Sequence, residues 1–353
     1  MTVSPPDHAP LGAVIVTYNA SDVILDCLET LLAAAAADGT DLRVVVVDNA
    51  STDGTVDHLR AWADGSRPYV PPPDLPFAHG PVPKPLDLAP PQTDQGHAAP
   101  LTLIETGTNG GFAAGVNAGL AHLAADPAIE RFWVLNPDSV TPAGTPAAFA
   151  QAAPGPFSLM GGRVIYLETP DRIQIDGGLV DRRTGITHNA NQFAAPQTPP
   201  PDPTSLDFIT GASMVASRAF YEQAGPLPED YFLYYEEVDW ALRRKDLPLA
   251  YCAGGVIYHR AGTSIGSPKP GSPASPFSLY FKHRARMRFV RRYFPGRVLG
   301  AFAYTFAKSG QLLMQGHRSE AHALLAGSFN RAPPSKVRAT LSKDALRVVT
   351  PRG

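Results

Sequence analysis

Short runs of apolar, largely β-branched residues recur along the first part of the chain, and each run ends in polar residues. Such runs are typical of strands that are buried on both faces of a sheet. They predict strands at residues 11–16, 42–47, 101–104 and 132–135. A further apolar run ends at His259 and predicts another strand.

Helical spacing of apolar residues separates these runs. After Asn19, the spacing of Val23, Leu28 and Leu31 predicts a helix that Ser21 or Asp22 would cap. Further helices are predicted at residues 55–63 and about 113–125. The order strand, helix, strand is that of βαβ units, so we expect an α/β fold with a mostly parallel sheet and flanking helices.

Proline interrupts this pattern twice. Residues 66–100 contain eleven prolines and little apolar periodicity. This composition predicts a long exposed loop that is inserted into the domain and is dispensable for folding. Residues 196–203 form a second proline cluster and predict a shorter loop.

The charge of the chain is divided unevenly. The formal net charge is −2, yet residues 247–353 contain 17 Lys and Arg and only two acids, Glu320 and Asp344. An asymmetry of this kind favours an anionic ligand or surface for the basic half. The chain has no recognised nucleic-acid motif and no basic platform interleaved with aromatic residues, so we expect no nucleic-acid partner.

Cysteine usage and the N-terminus indicate the compartment. Cys27 and Cys252 form neither a metal-binding spacing nor a disulfide framework, which fits a reducing compartment. Residues 1–10 lack the pattern of a secretory signal, and the apolar stretch 298–307 is too short to cross a bilayer. These features predict a cytoplasmic protein.

Polar loops follow three of the predicted strands: Thr17 to Asn19, Asp48 to Ser51, and Asn136 to Asp138. Ligands of open α/β sheets bind at the carboxyl ends of the strands, so these loops are expected to line one crevice. Taken singly, each loop is also explained by ordinary turn chemistry. Together they predict a binding site, in which Asp48 would hold a base or ribose and glycines after residue 109 would approach a phosphate.

Two positions are suited to a hard divalent cation. Asp138 supplies a carboxylate at the predicted crevice, and Mg²⁺ or Mn²⁺ commonly shares substrate phosphates with one or two protein carboxylates. His259, at the end of its strand, would complete the coordination. A structural role for this histidine is the alternative.

Three acids, Glu236, Glu237 and Asp239, lie within four residues between aromatic side chains. Adjacent carboxylates in an apolar setting repel each other and lose solvation, which raises the pKa of at least one of them. A raised pKa suits a general base that works near neutrality. The alternative is a helix N-terminus whose acids only complement the helix dipole.

Taken together, these pieces resemble the inverting family 2 glycosyltransferases of the GT-A fold, most closely their rhamnosyltransferase-like branch. The matching motifs occur in the family's order and cover most of residues 11–264. They are Val14-Ile-Val-Thr-Tyr-Asn19, Val47-Asp-Asn-Ala-Ser-Thr-Asp-Gly-Thr55, Asn109-Gly-Gly-Phe-Ala-Ala-Gly-Val-Asn117, Leu135-Asn-Pro-Asp138, Gly211-Ala-Ser-Met214, Phe232-Leu-Tyr-Tyr-Glu-Glu-Val-Asp239 and His259-Arg-Ala-Gly-Thr-Ser264.

The resemblance implies roles for individual residues. Asp138 keeps the metal carboxylate of the family's Asp-x-Asp motif, while Asn136 departs from it. Glu237 stands where the family usually has its catalytic Asp, and Asp239, with Glu236, is the alternative base. Contacts with the nucleotide sugar are implied for Thr17, Tyr18, Asn19, Asp48, Ser51, Asn109, Gly111, Phe112, Asn117 and Asn136. Contacts with the acceptor or a phosphate are implied for Gly211 and Arg284.

The C-terminal region predicts a basic amphipathic helix from about residue 278 to 294. Tyr280, Met287, Val290 and Phe294 share one face. The other face carries Lys282, Arg284, Arg286, Arg288, Arg291 and Arg292. This arrangement favours peripheral association with an anionic membrane surface, and packing on the catalytic domain is the alternative.

These features predict a tail at residues 1–10, a catalytic domain at 11–270, a basic helical extension at 275–330 and a tail at 331–353. The predicted function is metal-dependent, inverting transfer of a sugar, with rhamnose as one candidate. The donor would be a nucleotide-diphosphate sugar, and the acceptor a saccharide or lipid-linked molecule of surface polysaccharide or glycolipid synthesis. The site would lie at the inner face of the cytoplasmic membrane. The rivals are a sugar-nucleotidyltransferase and a non-catalytic nucleotide-sugar-binding protein.

Overall fold

The computed structural model describes residues 9–91, 99–260 and 274–350. The strands in this part of the chain are β1 Leu11–Thr17, β2 Leu42–Asp48, β3 Leu101–Glu105, β4 Arg131–Leu135, β5 Ser139–Val140, β6 Leu159–Tyr166, β7 Ile173–Ile175, β8 Gly178–Val180, β9 Thr187–Asn189, β10 Ser213–Ser217 and β11 Ala250–His259. The helices are α1 Ile24–Asp38, α2 Thr55–Ala63, α3 Phe112–Ala124, α4 Thr145–Gln151, α5 Arg218–Ala224, α6 Glu236–Leu242, α7 Pro276–Tyr293, α8 Val298–Met314, α9 Arg318–Ser328, α10 Ser335–Arg338 and α11 Lys343–Val349.

Within the described residues, nine strands form one sheet along the path β3-β2-β1-β4-β10-β6-β11-β5, with β7 paired to β6. Strands β3, β2, β1 and β4 are parallel, as predicted, and β10 is antiparallel to β4. The strands β8 and β9 form a separate ribbon. One apolar cluster includes side chains of α1, α2 and α4, and a second includes side chains of α3, α5 and α6. The α/β fold with flanking helices is confirmed, and the parallel half aligns the carboxyl ends of its strands.

The start of α1 differs from the prediction. Neither Ser21 nor Asp22 caps the helix: Val23 is the capping residue, and its side chain makes no capping hydrogen bond. The backbone N–H of Ser21 instead donates to the Asp53 carboxylate at 3.0 Å. The turn before α1 is therefore held by the loop that follows β2, a partner that local spacing cannot reveal.

The proline-rich segment packs on the domain through several of its side chains. Lys84 Nζ lies 2.8 Å from Oε1 of Glu29 on α1 and 4.2 Å from the centroid of the Trp62 ring on α2. The Tyr69 hydroxyl donates to Asp26 at 3.0 Å, and Ala89 forms a bridge with Thr102 of β3. Most of the described residues 66–91 are exposed, as predicted for a loop, but these few side chains pack on the domain.

The buried ion pair of this segment yields a stability prediction. We expect Lys84→Ala to lower the free energy of unfolding by about 3 kcal/mol, because it leaves the carboxylate of Glu29 buried without its cation. Arg60→Ala is the matched control, since the Arg60–Glu105 pair is about half exposed and such pairs contribute roughly 0–1 kcal/mol. Urea unfolding of both variants measures the difference. Equal losses of unfolding free energy in the two variants would show that the Lys84–Glu29 pair stabilises the fold no more than an exposed pair does.

The helix α7 is a packed helix rather than a free basic surface. Arg286 is fully buried, and its guanidinium donates to the hydroxyl of Thr305 on α8 at 2.5 Å. Arg292 lies 2.6 Å from both Asp230 and Asp239. Arg286 is therefore held inside the protein, and Arg292, which is 37% exposed, is paired with two carboxylates. Both findings correct the predicted free basic face. Residues 331–353 were predicted to be a tail, yet their described part contains α10 and α11, whose Val337, Ala345 and Val349 are buried.

Candidate active site

A cavity of about 780 Å³ opens at the carboxyl ends of the parallel strands. Seven of the predicted site residues line it: Tyr18, Asn109, Gly111, Phe112, Asn136, Asp138 and His259. They come from loops after β1, β3 and β4 and from the end of β11. The parallel arrangement brings together residues that are up to 241 positions apart in the chain, as the loop pattern predicted.

A hydrogen-bonded layer behind the cavity includes four further predicted residues. The buried carboxylate of Asp48 accepts hydrogen bonds from the Thr17 hydroxyl at 2.9 Å and the Ser51 hydroxyl at 2.5 Å. The Ser51 hydroxyl also accepts from the backbone N–H of Asn19 at 2.9 Å. Thr17, Asn19, Asp48 and Ser51 do not themselves line the cavity. They join the loops after β1 and β2 and thereby position Tyr18.

The loop before α3 approaches the segment before α6 very closely. Gly111 has a φ of 93°, and a Cβ there would lie 2.4 Å from the carbonyl oxygen of Phe232. The N–H of Phe112 donates to that same oxygen at 3.1 Å. A side chain at position 111 would force the two segments apart. Asn49, which the motif analysis did not single out, holds the loop from behind by donating to the carbonyl of Gly111 at 2.9 Å.

Asp138 and His259 form a pair suited to a divalent cation. Nε2 of His259 lies 3.1 Å from Oδ1 of Asp138, and Nδ1 lies 2.8 Å from Oε1 of Gln174. The side-chain oxygen Oε1 of Gln174 accepts a hydrogen bond from the Nδ1–H of His259. In the neutral ring Nε2 then carries the lone pair, as in metal-binding histidines. Nδ2 of Asn136 lies 3.2 Å from Nε2. Burial opposes protonation of His259, but the Asp138 carboxylate raises its pKa.

The described residues contain no cluster of three or more His, Cys, Asp or Glu side chains that could hold a metal ion by itself. Two protein ligands nevertheless fit Mg²⁺ or Mn²⁺ when substrate phosphates and water supply the rest. The donor set of Asp138 and His259 therefore suits a cation that binds together with a phosphate-bearing ligand.

Backbone strain is concentrated just before the acidic pair. Phe232, Tyr234 and Tyr235 have φ values of 71°, 67° and 70°, a region that non-glycine residues rarely adopt. Each such residue costs about 1–3 kcal/mol and persists only where the surrounding structure enforces it. The strain places Glu236 and Glu237 at the first turn of α6. Strain of this kind is common at functional sites.

Glu236 and Glu237 differ in environment. Burial raises the pKa of Glu237 to about 7, while the charge of Lys282 acts in the opposite direction. Burial and the charge of Glu237 raise the pKa of Glu236 well above its ordinary value. Glu236 is 2% exposed, and its Oε2 has no hydrogen-bond partner among the described residues. Glu237 is the more accessible acid, and its pKa suits proton transfer near neutrality.

Gly211 lies between the cavity wall and this acid. A Cβ at Gly211 would lie 3.4 Å from the ring of Phe112 and 4.0 Å from Cβ of Glu237. Neither Gly211 nor Glu237 lines the cavity itself. The missing side chain leaves open the space beside Glu237, next to the ring of Phe112.

The buried state of Glu236 predicts a dependence of stability on pH. Its pKa is raised above the ordinary 4.5, so the folded state keeps a proton that the unfolded state has released. Stability is then lost as the pH rises through the folded-state value. We expect Glu236→Gln to raise the melting temperature at pH 8 and to do so progressively less toward pH 4. Glu222→Gln is the control, since Glu222 is 64% exposed. A gain that is independent of pH would contradict this assignment.

Asp239 has a different role from the one considered for it. Its fully buried carboxylate accepts hydrogen bonds from Tyr231 at 2.8 Å, Arg243 at 2.8 Å, Arg292 at 2.6 Å and Tyr293 at 2.8 Å. Two cations and two hydroxyls occupy both oxygens of this carboxylate, which leaves neither oxygen available to a substrate hydroxyl. The structure therefore favours a structural role for Asp239, which ties α6 to α7, over that of the alternative base.

Two further predicted site residues are engaged elsewhere. The side-chain amide of Asn117 donates to the Leu227 carbonyl at 2.9 Å and to Glu229 at 2.8 Å, so it secures the segment before α6. Arg284 is 7% exposed, does not line the cavity and donates to Asn330 at 2.9 Å. Both findings have the same cause: these polar side chains are hydrogen-bonded to parts of the chain that are distant in sequence.

The rest of the cavity was missed by sequence reasoning. Its second half is lined mainly by apolar residues that precede α6, begin α7 or belong to the C-terminal segment: Phe232, Leu233, Pro276, Phe277, Ala339, Leu341 and Ala345. Phe232 and Leu233 belong to a quoted motif, but no pattern indicated that they would meet the segment predicted to be a tail, whose apolar residues were its one signal. Which surface they would cover depends on tertiary packing.

Comparison with known proteins agrees with the fold and the motifs. Residues 13–71 match the model of Glycosyl transferase family 2. The low-salt glycan biosynthesis hexosyltransferase Agl10 of Haloferax volcanii is 25% identical over 161 residues, which are 42% of this chain and 48% of that protein. The chain thus spans about half the length of this curated relative.

A mannosyltransferase from Pyrobaculum calidifontis, solved in complex with GDP-Man and Mn²⁺, superposes with a TM-score of 0.51 at 17% identity. The match covers 93% of this chain and 89% of that one, and it shows the fold. The family resemblance inferred from the motifs is confirmed, while the rhamnosyltransferase-like branch stays a prediction. Residues 13–71 therefore carry the features of glycosyl transferase family 2, and the chain has the GT-A fold.

Proposed function

We propose that this protein is an inverting glycosyltransferase that transfers a sugar from a nucleotide-diphosphate sugar to a saccharide or lipid-linked acceptor. The observation that carries this proposal is the convergence of Tyr18, Asn109 and the Asp138–His259 pair on one cavity. The match of residues 13–71 to glycosyl transferase family 2 supports it. Rhamnose is the sugar favoured by the motif resemblance. A role in surface polysaccharide or glycolipid synthesis belongs to the same proposal.

The donor half of the cavity has parts suited to a nucleotide sugar. The ring of Tyr18 and the amides of Asn49 and Asn109 line the wall near the loops after β1, β2 and β3. Gly111 also lines this wall, so its backbone can approach a phosphate closely. A divalent cation bound by Asp138 and His259 would neutralise charge on the leaving nucleoside diphosphate.

Glu237 is the base in this proposal. It removes the proton from an acceptor hydroxyl, whose oxygen attacks the anomeric carbon while the bond to the nucleoside diphosphate breaks. The attack occurs opposite the leaving group and inverts the configuration. A carboxyl group with a pKa of about 7 is about half ionised at neutral pH and is still basic enough to accept a proton. Glu236, kept protonated by burial, limits the negative charge in the same turn.

The proposal includes peripheral association with the inner face of the cytoplasmic membrane, and its support lies on α8 rather than α7. Leu299, Phe306 and Leu313 are 84%, 56% and 52% exposed and recur every seven residues, which places them on one face. Arg297, an exposed cation, precedes this face. None of the helices in the described ranges combines the length and apolar character needed to cross a bilayer.

A donor panel tests the function. The protein is titrated with deoxythymidine diphosphate-rhamnose, uridine diphosphate sugars and GDP-mannose, each with Mn²⁺, Mg²⁺ or EDTA. One donor is expected to raise the melting temperature in a metal-dependent manner, because a ligand of the native state stabilises it. Slow release of free sugar, with inverted anomeric configuration by NMR, should accompany binding. Binding without any turnover would favour a non-catalytic protein, and pyrophosphate-dependent formation of a sugar nucleotide would favour a nucleotidyltransferase.

A further inference from the structure

The second half of the cavity is built from the segment before α6, the start of α7 and the C-terminal segment. Leu341, in the connection between α10 and α11, lines it opposite the strand ends, together with Leu233 and Phe277. Each of these three large apolar side chains is only half-buried. They therefore present apolar surface to the cavity, which water contacts unfavourably unless a ligand covers it.

This apolar wall is firmly anchored. Behind it, one cluster joins the buried residues Phe232, Phe281, Val337, Ala345 and Val349, and the half-buried wall residues pack against that cluster. The helices α10 and α11 are thus held on α7 by apolar contacts. A preformed apolar pocket costs little ordering entropy when a ligand binds, so it is well suited to recognition.

The position of the wall relates it to the reaction. Phe232 belongs to the apolar cluster, and its carbonyl oxygen accepts a hydrogen bond from the backbone N–H of Phe112, the first residue of α3. Phe112 lines the half of the cavity that would hold the nucleotide sugar. Four residues further on lies Glu236, followed by Glu237. The sugar and the diphosphate of a nucleotide sugar are polar, and the proposal places its base at the wall that contains Tyr18, so the donor does not need this apolar wall. The remaining reactant is the acceptor.

We propose that the C-terminal half of the cavity is an acceptor subsite for an apolar group, a hydrocarbon chain or an aromatic ring attached to the sugar that receives the transferred residue. This inference rests on the proposed function. Leu233, Phe277 and Leu341 contact the apolar group, and its attached sugar hydroxyl lies toward Glu237. The segment of α10 and α11 is then a specificity-determining part of the enzyme.

Binding of three probes to the full chain tests the subsite: decyl β-maltoside below its micelle concentration, p-nitrophenyl β-maltoside, and maltose. Calorimetric titration in the presence of nucleoside diphosphate and Mn²⁺ should give at least one apolar maltoside a dissociation constant roughly tenfold or more below that of maltose. A preference for the decyl compound indicates a lipid chain, and a preference for the nitrophenyl compound indicates an aromatic group.

Leu341→Asp should abolish this preference by placing a charge on the apolar wall. The matched control is Leu179→Asp, since Leu179 is 38% exposed on the ribbon of β8 and β9 and does not line the cavity. Ala339→Trp is a second variant, because Ala339 is exposed at the cavity and a larger side chain there fills the subsite without removing a packed group. Thermal unfolding establishes that each variant is folded.

An apolar maltoside that binds no better than maltose, or an unchanged preference in folded Leu341→Asp and Ala339→Trp, would overturn the subsite. The outcome is separable from that of the proposed function. Apolar binding that is lost in the two variants, without any metal-dependent response to the donor panel, would retain the subsite and reject sugar transfer. Turnover of a donor without binding of an apolar maltoside would retain sugar transfer and reject the subsite.

Discussion

Glu237→Gln is expected to lower the turnover number by roughly 10²–10⁴-fold, the contribution of a positioned general base. The amide keeps the shape of the side chain, but it cannot accept the proton of the acceptor hydroxyl. Burial raises the pKa of Glu237 to about 7, so wild-type turnover should increase with pH up to a plateau, with an inflection near that value. The variant should lose this inflection. Steady-state kinetics from pH 5.5 to 8.5 measures both effects.

Binding of donor and cation should survive in Glu237→Gln, since Asp138 and His259 remain in place. Glu237→Asp is the companion variant, because it restores the shorter acid found at this position in the family that the motifs resemble. If the site has adjusted to the longer arm, the Asp variant is also slow. Near-wild-type turnover of Glu237→Gln, with the inflection retained, would move the base to another residue.

The second large effect is expected for Asp138→Asn. A neutral amide is a poorer ligand for a hard cation than a carboxylate, so metal-dependent turnover should fall at least about 100-fold. Asp138 is 8% exposed and faces His259, and the amide preserves its volume, so the fold should remain intact. Turnover is measured as a function of Mn²⁺ concentration. Asp171→Asn, at an acid that is 75% exposed and does not line the cavity, is the control.

The metal-binding role of Asp138 also predicts a change in the response of turnover to Mn²⁺. The concentration of Mn²⁺ that gives half-maximal turnover should increase in Asp138→Asn and stay unchanged in Asp171→Asn. An Asp138 variant whose activity responds to Mn²⁺ with the wild-type half-saturation would show that the cation is held by other residues. His259 and the nucleotide phosphates would then need a different carboxylate partner.

The structural role of Asp239 changes how the activity of an Asp239 variant is interpreted. Its carboxylate joins Arg243, Arg292 and two tyrosines between α6 and α7. Loss of that charge would disturb the packing that positions Glu237, so a slow Asp239 variant does not by itself identify a base. The pH profile separates the roles, because only the base carries the inflection near 7.

The local pattern determined the strands and the crevice of this protein. Apolar runs predicted β1 to β4 to within two residues at each end, because a strand buried on both faces requires an uninterrupted apolar sequence. The polar residues after them, among them Tyr18 and Asp138, were correctly expected at one cavity. The carboxyl ends of parallel strands lie at one edge of the sheet whatever the details of packing.

Only the tertiary structure decided which polar groups are already satisfied and which apolar surface closes the cavity. Asn117, Asp239 and Arg284 have partners that are distant in sequence or belong to another helix, so their motifs could not reveal that they are engaged. The described part of the proline-rich segment and the helices α10 and α11 lack a strong periodic pattern, yet they pack through a few side chains such as Lys84 and Val337. Periodicity reports local structure, whereas burial and pairing depend on contacts between distant segments.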